Sequence, residues 1–237
     1  YNIQNNYITG YYNGIYTTKT YLPSITDNEV HMRPDYSSGN FQSGITAVNT
    51  TKVDIANNTV DMPNGTTANW SHNGIFIDNN TDPKIRCNSI KYIRNSILAN
   101  YLNYTVPGYG IYNNNMQNAV YGFWLNAGGE IGHQYYNTTT YSADNQWNNC
   151  TNETYVSSGC NTYATTGARF YTRNTSPYNI TNAVGGGNYL SGIVATGGFA
   201  GACASSSTPT LNLRTNGNGQ NVALTQYAQE IATDNMS

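Results

Sequence analysis

The chain has 237 residues and a formal net charge of −2, with only 9% of its residues charged, so its surface must be kept wet by amides, hydroxyls and phenols instead of ions. Ten Lys and Arg against twelve Asp and Glu leave no basic field for a nucleic-acid partner. No stretch reaches the roughly eighteen apolar residues of a helical membrane span, so membrane attachment is expected only through a segment before Tyr1.

In chain order, Ile3, Tyr7, Tyr11 and Ile15 recur every four residues and predict an amphipathic N-terminal helix, weakened by Gly10 and Gly14. After Pro23 and Pro34 the pattern turns to alternation. Val53-Asp54-Ile55, Val60 and the run Gly74 to Asp78 predict strands separated by turns at Asn57-Asn58 and Pro63-Asn64-Gly65. Thr81 or Asp82 as cap and Pro83 in the first turn open a second helix, with Cys87 facing inward beside Ile90 and Ile97. Lys84, Arg86, Lys91 and Arg94 then read as its solvated face.

Val120 to Leu125 predicts a buried strand, and residues 126–188 read as a loop-rich insert with short strands such as Ala168 to Tyr171. Tyr189 to Val194 is apolar again, Thr210 to Thr215 alternates as a last strand, and Ala223 to Ile231 suits a short helix. No repeat at a fixed period and no dividing linker is read, so one α+β domain over 1–237 is expected.

Four cysteines allow three pairings, and an uncharged, secretory composition favours disulfides. Cys150 and Cys160 enclose a short polar loop that bridges easily, which leaves Cys87 with Cys203. No Cys-x-x-Cys pair and no histidine at ligand spacing suggests a metal, and no cofactor is expected. Glu130 and His133 are the one candidate acid–base pair, but a Gly-rich connection with a solvated histidine explains them better. Asp78 and Asp82 with Asn79-Asn80 read as a capping segment before a weak ion site, and Gly185-Gly186-Gly187 lacks a phosphate-loop ending. The chain is therefore expected not to be an enzyme.

Twelve Asn-x-Ser/Thr sequons, at Asn49, Asn57, Asn64, Asn69, Asn79, Asn103, Asn137, Asn149, Asn152, Asn174, Asn179 and Asn235, are possible glycosylation sites of a viral or archaeal surface glycoprotein. With 38 Asn and 46 Ser plus Thr, chance alone gives about seven, so Asn/Thr richness explains most of them. Twenty-two tyrosines and three tryptophans raise a carbohydrate-binding adhesin, with Tyr135, Tyr136, Tyr141 and Trp147 as the candidate patch.

The order of an N-terminal amphipathic segment (Asn2 to Tyr16), Tyr21 to Ile25, Met32 to Gly39, paired strands, a cysteine helix, a Gly-Phe-Trp strand and Ala202-Cys203-Ala204 before Leu211-Asn212-Leu213 resembles the type IVb pilins, the bundle-forming, toxin-coregulated and conjugative-plasmid group. The resemblance covers about two-thirds of the chain. It implies an N-terminal helix packed on a central antiparallel sheet, a second helix tied down by Cys87–Cys203, and an extracellular pilus subunit whose partners are copies of itself and whose loops adhere to host-surface glycans or receptors.

Overall fold

The computed structural model describes residues 1–10, 13–33, 42–63, 72–103, 110–131, 134, 142–157, 170–185, 192–195 and 203. All of them lie in one compact unit, Tyr1–Ser207. The expected strand at 210–215 and helix at 223–231 fall outside the described residues.

Among the described residues there is no helix, and every strand pairing is parallel. The chain winds through three sheets once per coil. The first sheet stacks β1 (Asn2–Gln4), β4 (Ser24–Thr26), β7 (Asp54–Ala56), β10 (Lys84–Arg86) and β13 (Gly110–Tyr112). The second stacks β2 (Tyr7–Gly10), β5 (Glu29–Met32), β8 (Thr59–Asp61), β11 (Ser89–Lys91), β14 (Asn115–Gln117) and β16 (Gln146–Asn148). The third stacks β3 (Asn13–Thr18), β6 (Gln42–Val48), β9 (His72–Asp78), β12 (Asn95–Asn103), β15 (Tyr121–Ile131), β17 (Asn152–Val156) and β19 (Ala183–Gly185). A short pair, β18 (Phe170–Thr172) and β20 (Gly192–Val194), completes the set. This is a parallel β-solenoid.

Columns of like residues fill its interior. Ile25, Ile55, Ile85 and Ile111 stack in the first sheet, and Val30, Val60, Ile90, Met116 and Trp147 in the second. Ile15, Ile45, Ile75, Ile97 and Phe123 stack in the third. Each of these is at most 5% exposed, and a fully buried aliphatic of this size contributes about 1.5–3 kcal/mol.

Corners come from single residues in the left-handed region. Between the first two sheets these are Asn5, Asp27, Asn57, Cys87, Asn113 and Asp144, with φ between 48° and 58°. Asn and Asp tolerate that conformation better than other non-glycine residues, which is why the corner column is rich in them. The residue after each corner turns inward, and Asn6, Asn28, Asn58, Asn88, Asn114 and Asn145 form a ladder there. Asn58 shows the pattern: its Nδ2 donates to Ile25 O (2.8 Å), Ala56 O (3.0 Å) and Asn88 Oδ1 (2.9 Å), while its Oδ1 accepts from the Asn28 backbone N–H (3.0 Å) and Asn28 Nδ2 (2.9 Å). Buried carbonyls and amides freed at the corner thus find partners without water.

A glycine column meets the second sheet from the third. A Cβ on Gly44 would lie 2.2 Å from Val60 Cγ1, and one on Gly74 2.5 Å from Ile90 Cγ2. Only a hydrogen leaves room for those branched side chains.

The pilin resemblance and the α+β class with an antiparallel sheet are therefore overturned. The stripe read as an N-terminal helix divides between opposite faces, for Tyr7 is 58% exposed on β2 whereas Ile15 is buried on β3. The second helix fails for a related reason. Ile85, Asn88, Ile90, Ile93 and Ile97 all point inward, but the left-handed corners at Cys87 and Tyr92 each add one residue to the two-residue strand period. Steps of two and three then imitate helical spacing. The absence of a repeat is also corrected: Asn28, Asn58 and Asn88 are joined at separations of 30 residues, one coil each. Among the described residues of 126–188, expected as a loop-rich insert, β16, β17 and β19 continue the stack and β18 pairs with β20.

Candidate functional site

The outer face of the third sheet carries an aromatic cluster. Strand alternation restarts at each glycine of the column, so Tyr121 and Trp124 leave on the same outer side while Gly122 and Phe123 turn in, Phe123 being fully buried. Tyr155 sits on the next coil, in register with Trp124. Tyr121 stacks on Tyr155, with centroids 4.7 Å apart and planes 28° from parallel. Trp124 lies 5.5 Å from the Tyr121 ring and meets Tyr155 edge-on at 5.7 Å. Offset and edge-to-face pairs of this kind are the favoured geometries of aromatic quadrupoles.

Polar contacts fix the cluster. The Trp124 Nε1–H donates to Ser157 Oγ at 2.8 Å, and the Arg94 guanidinium lies over the Tyr121 ring, 5.8 Å from its centroid. Trp124 and Tyr155 stay half-buried, so part of each ring system meets solvent. The outward rung through Trp124 runs Tyr16, Thr46, Phe76, Leu98, Trp124, Tyr155 and Val184 across seven strands. Two residues further along each strand, Thr18, Val48, Asp78, Asn100 and Asn126 form a parallel rung. Desolvation pushes the Asp78 carboxyl above its usual range.

A second cluster lies on the outer face of the second sheet. His31 Nδ1 is 2.7 Å from Asp61 Oδ1 and Nε2 is 2.8 Å from Glu29 Oε1, with the Tyr7 ring 4.9 Å away. Lys91 follows Asp61 on the next coil. Burial opposes a charge on the imidazole, but hydrogen bonds and charge from Asp61 and Glu29 outweigh it and raise the His31 pKa. The imidazolium neutralises two carboxylates that the ladder brings to adjacent coils, which makes this a structural cross-brace.

The residues singled out from sequence scatter. Trp147 is 5% exposed and packs edge-on against Phe170 at 5.6 Å, inside the solenoid; Tyr135, Tyr136 and Tyr141 lie outside the described residues. Glu130 is on β15, and His133 is outside the described residues. Cys87 and Cys203 form a disulfide, with Cα atoms 5.5 Å apart, and Cys87 occupies a corner instead of facing the core. Among the described residues Cys150 is a free thiol whose pKa burial pushes up to about 12, and Cys160 lies outside them. Asp78 faces outward on β9 and Asp82 takes the following corner; no group of three His, Cys, Asp or Glu among the described residues is placed to hold a metal.

Sequon residues Asn49, Asn79, Asn149 and Asn174 are exposed, Asn57, Asn152 and Asn179 are half-buried, Asn103 lies on β12, and Asn64, Asn69, Asn137 and Asn235 fall outside the described residues. Asn49, Asn57, Asn79 and Asn149 are left-handed corner residues. The corner favours Asn and the strand that follows favours Thr, so the solenoid itself writes Asn-x-Thr.

Sequence reasoning missed Tyr121, Trp124 and Tyr155 as a group, although Tyr121-Gly122-Phe123-Trp124 carries the signal once a glycine reset of the alternation is allowed. Comparison with protein-family models, with curated proteins and with solved structures finds no match to this chain.

Proposed function

We propose that this chain is an extracellular, non-catalytic binding protein that holds a surface carbohydrate on the outer face of its third sheet. The observation that carries the reading is the Tyr121–Trp124–Tyr155 cluster, held by Ser157 and Arg94 beside a rung of amide and carboxylate side chains. Sugars present apolar C–H faces and polar hydroxyl edges, and aromatic rings flanked by amides answer both. An extracellular setting agrees with the Cys87–Cys203 disulfide and the scarcity of charge.

The test is a glycan array read with the native protein and with Trp124→Ala, both checked for an unchanged far-ultraviolet circular dichroism spectrum. Binding to a defined glycan set that Trp124→Ala abolishes supports the reading. Equal binding by the variant, or none by the native protein, overturns it.

A further inference from the structure

We infer that the carbohydrate is a linear, neutral, extended β-linked glycan that lies along the solenoid axis with about one sugar unit per coil. This rests on the carbohydrate reading above and specifies its ligand.

The aromatic cluster is one part of a longer translational pattern. On four consecutive coils an outward apolar side chain is followed two residues later by an outward polar one: Phe76 with Asp78, Leu98 with Asn100, Trp124 with Asn126, and Tyr155 with Ser157. Parallel pairing keeps the apolar members in one line and the polar members in another, so each coil repeats the module at the strand spacing of ~4.8 Å. That advance is close to one residue of an extended β-linked chain. A ligand with matching repeat meets several modules at once, with rings at Phe76, Trp124 and Tyr155, whereas a single sugar engages one module and leaves the others unused.

The modules also differ in a way that suits a chain. Leu98 is 1% exposed, recessed on the rung between Phe76 and Trp124, while Trp124 stands half-exposed. A chain of sugars that rests on Phe76 passes over the recess at Leu98 and reaches the adjacent rings of Trp124 and Tyr155. The polar line carries a carboxylate at Asp78 and an amide at Asn126, both half-buried, so it exchanges hydrogen bonds with hydroxyls and disfavours acidic sugars.

The decisive measurement is isothermal titration of the native protein with cello- and xylo-oligosaccharides of one to six units. Affinity is expected to rise by roughly tenfold or more from disaccharide to hexasaccharide in at least one series. Phe76→Ala and Asp78→Ala, two coils from Trp124, should weaken the hexasaccharide by a few-fold and leave the disaccharide unchanged. Both lie outside the interior columns, so they keep the test open should Trp124→Ala fold poorly. A disaccharide that binds as tightly as the hexasaccharide overturns the axial chain but keeps a compact carbohydrate site. No binding in either series by a protein that does bind branched or acidic glycans overturns the ligand class, and no glycan binding at all sinks the carbohydrate reading itself.

Discussion

Replacing Asn58 by Ala removes the centre rung of the asparagine ladder, and its cost can be worked from the bonds it makes. The Asn28 backbone N–H loses its Oδ1 acceptor at 3.0 Å. Ile25 O and Ala56 O each lose an Nδ2 donor, while Asn28 Nδ2 retains Ile3 O and Thr26 O. One buried donor stripped of its acceptor costs about 1–3 kcal/mol, and two weakened carbonyls with a small void bring the total to about 3–5 kcal/mol. Asn6→Ala is the internal control. Its backbone N–H still donates to Asn28 Oδ1, and only the Nδ2 bonds to Gln4 O and Asn28 Oδ1 are lost, so about 1 kcal/mol is expected. Urea unfolding followed by circular dichroism gives both values, and hydrogen exchange should show the Asn28 amide losing protection only in Asn58→Ala. Because solenoids unfold as coupled coils, the exchange measurement is read beside the global one. Equal losses in the two variants would refute the view that the ladder, and not the corner backbone alone, holds the first and second sheets together.

Gly44→Ala should destabilise by about 1–3 kcal/mol, since its Cβ meets Val60 Cγ1 at 2.2 Å, and thermal melts of the double variant with Val60→Ala should recover part of that loss. Losing the Cys87–Cys203 bridge in Cys203→Ser opens a loop with a sequence separation of 116 residues and should lower unfolding free energy by about 4–5 kcal/mol on the chain-entropy account, read as a shift in urea midpoint between oxidised protein and variant. For His31 the folded pKa lies above 6.5, so its contribution to stability is complete below pH 6.5 and fades as pH rises through the folded value. Melts across pH 5 to 9 should show that decline in the native protein and a flatter profile in His31→Gln.

What could be read from the sequence depended on whether a signal survived the corners. Tyr121 to Leu125, and Gly74 to Asp78, lie inside strands that no left-handed corner breaks, and both stand as strands in the structure, with Val120 one residue before β15. The Cys87–Cys203 pair was legible because the alternative cysteines lie close in sequence. Where a left-handed residue breaks a strand after three residues, however, the two-residue period never runs long enough to declare itself. Ile90, Ile93 and Ile97 then look helical although none of them is. The 30-residue repeat was written openly in Gly14-Ile15, Gly44-Ile45 and Gly74-Ile75, and in Asn28, Asn58 and Asn88. An abundance of Asn, Thr and Gly hid it, because the residues that mark the repeat are also the commonest in the chain.

The same reasoning explains why the sequence drew attention to Trp147, which is buried, and passed over Trp124, which is half-exposed. Local composition misleads here, for Trp124 lies between the apolar Phe123 and Leu125 and reads as core, whereas Trp147 lies between Gln146 and Asn148 and reads as surface. Their columns tell them apart. Trp147 stands in line with Val30, Val60, Ile90 and Met116, an interior column in which each predecessor is buried, and the absent side chain of Gly122 gives its indole room. Trp124 stands in line with Tyr16, Thr46, Phe76 and Leu98, a column that begins with a tyrosine 52% exposed. In a solenoid, then, the inward or outward sense of a residue belongs to its column and not to its neighbours in sequence. An aromatic on an outward column can meet another at one coil rise, as Trp124 meets Tyr155, and that juxtaposition, more than the number of tyrosines, is what the proposed binding face rests on.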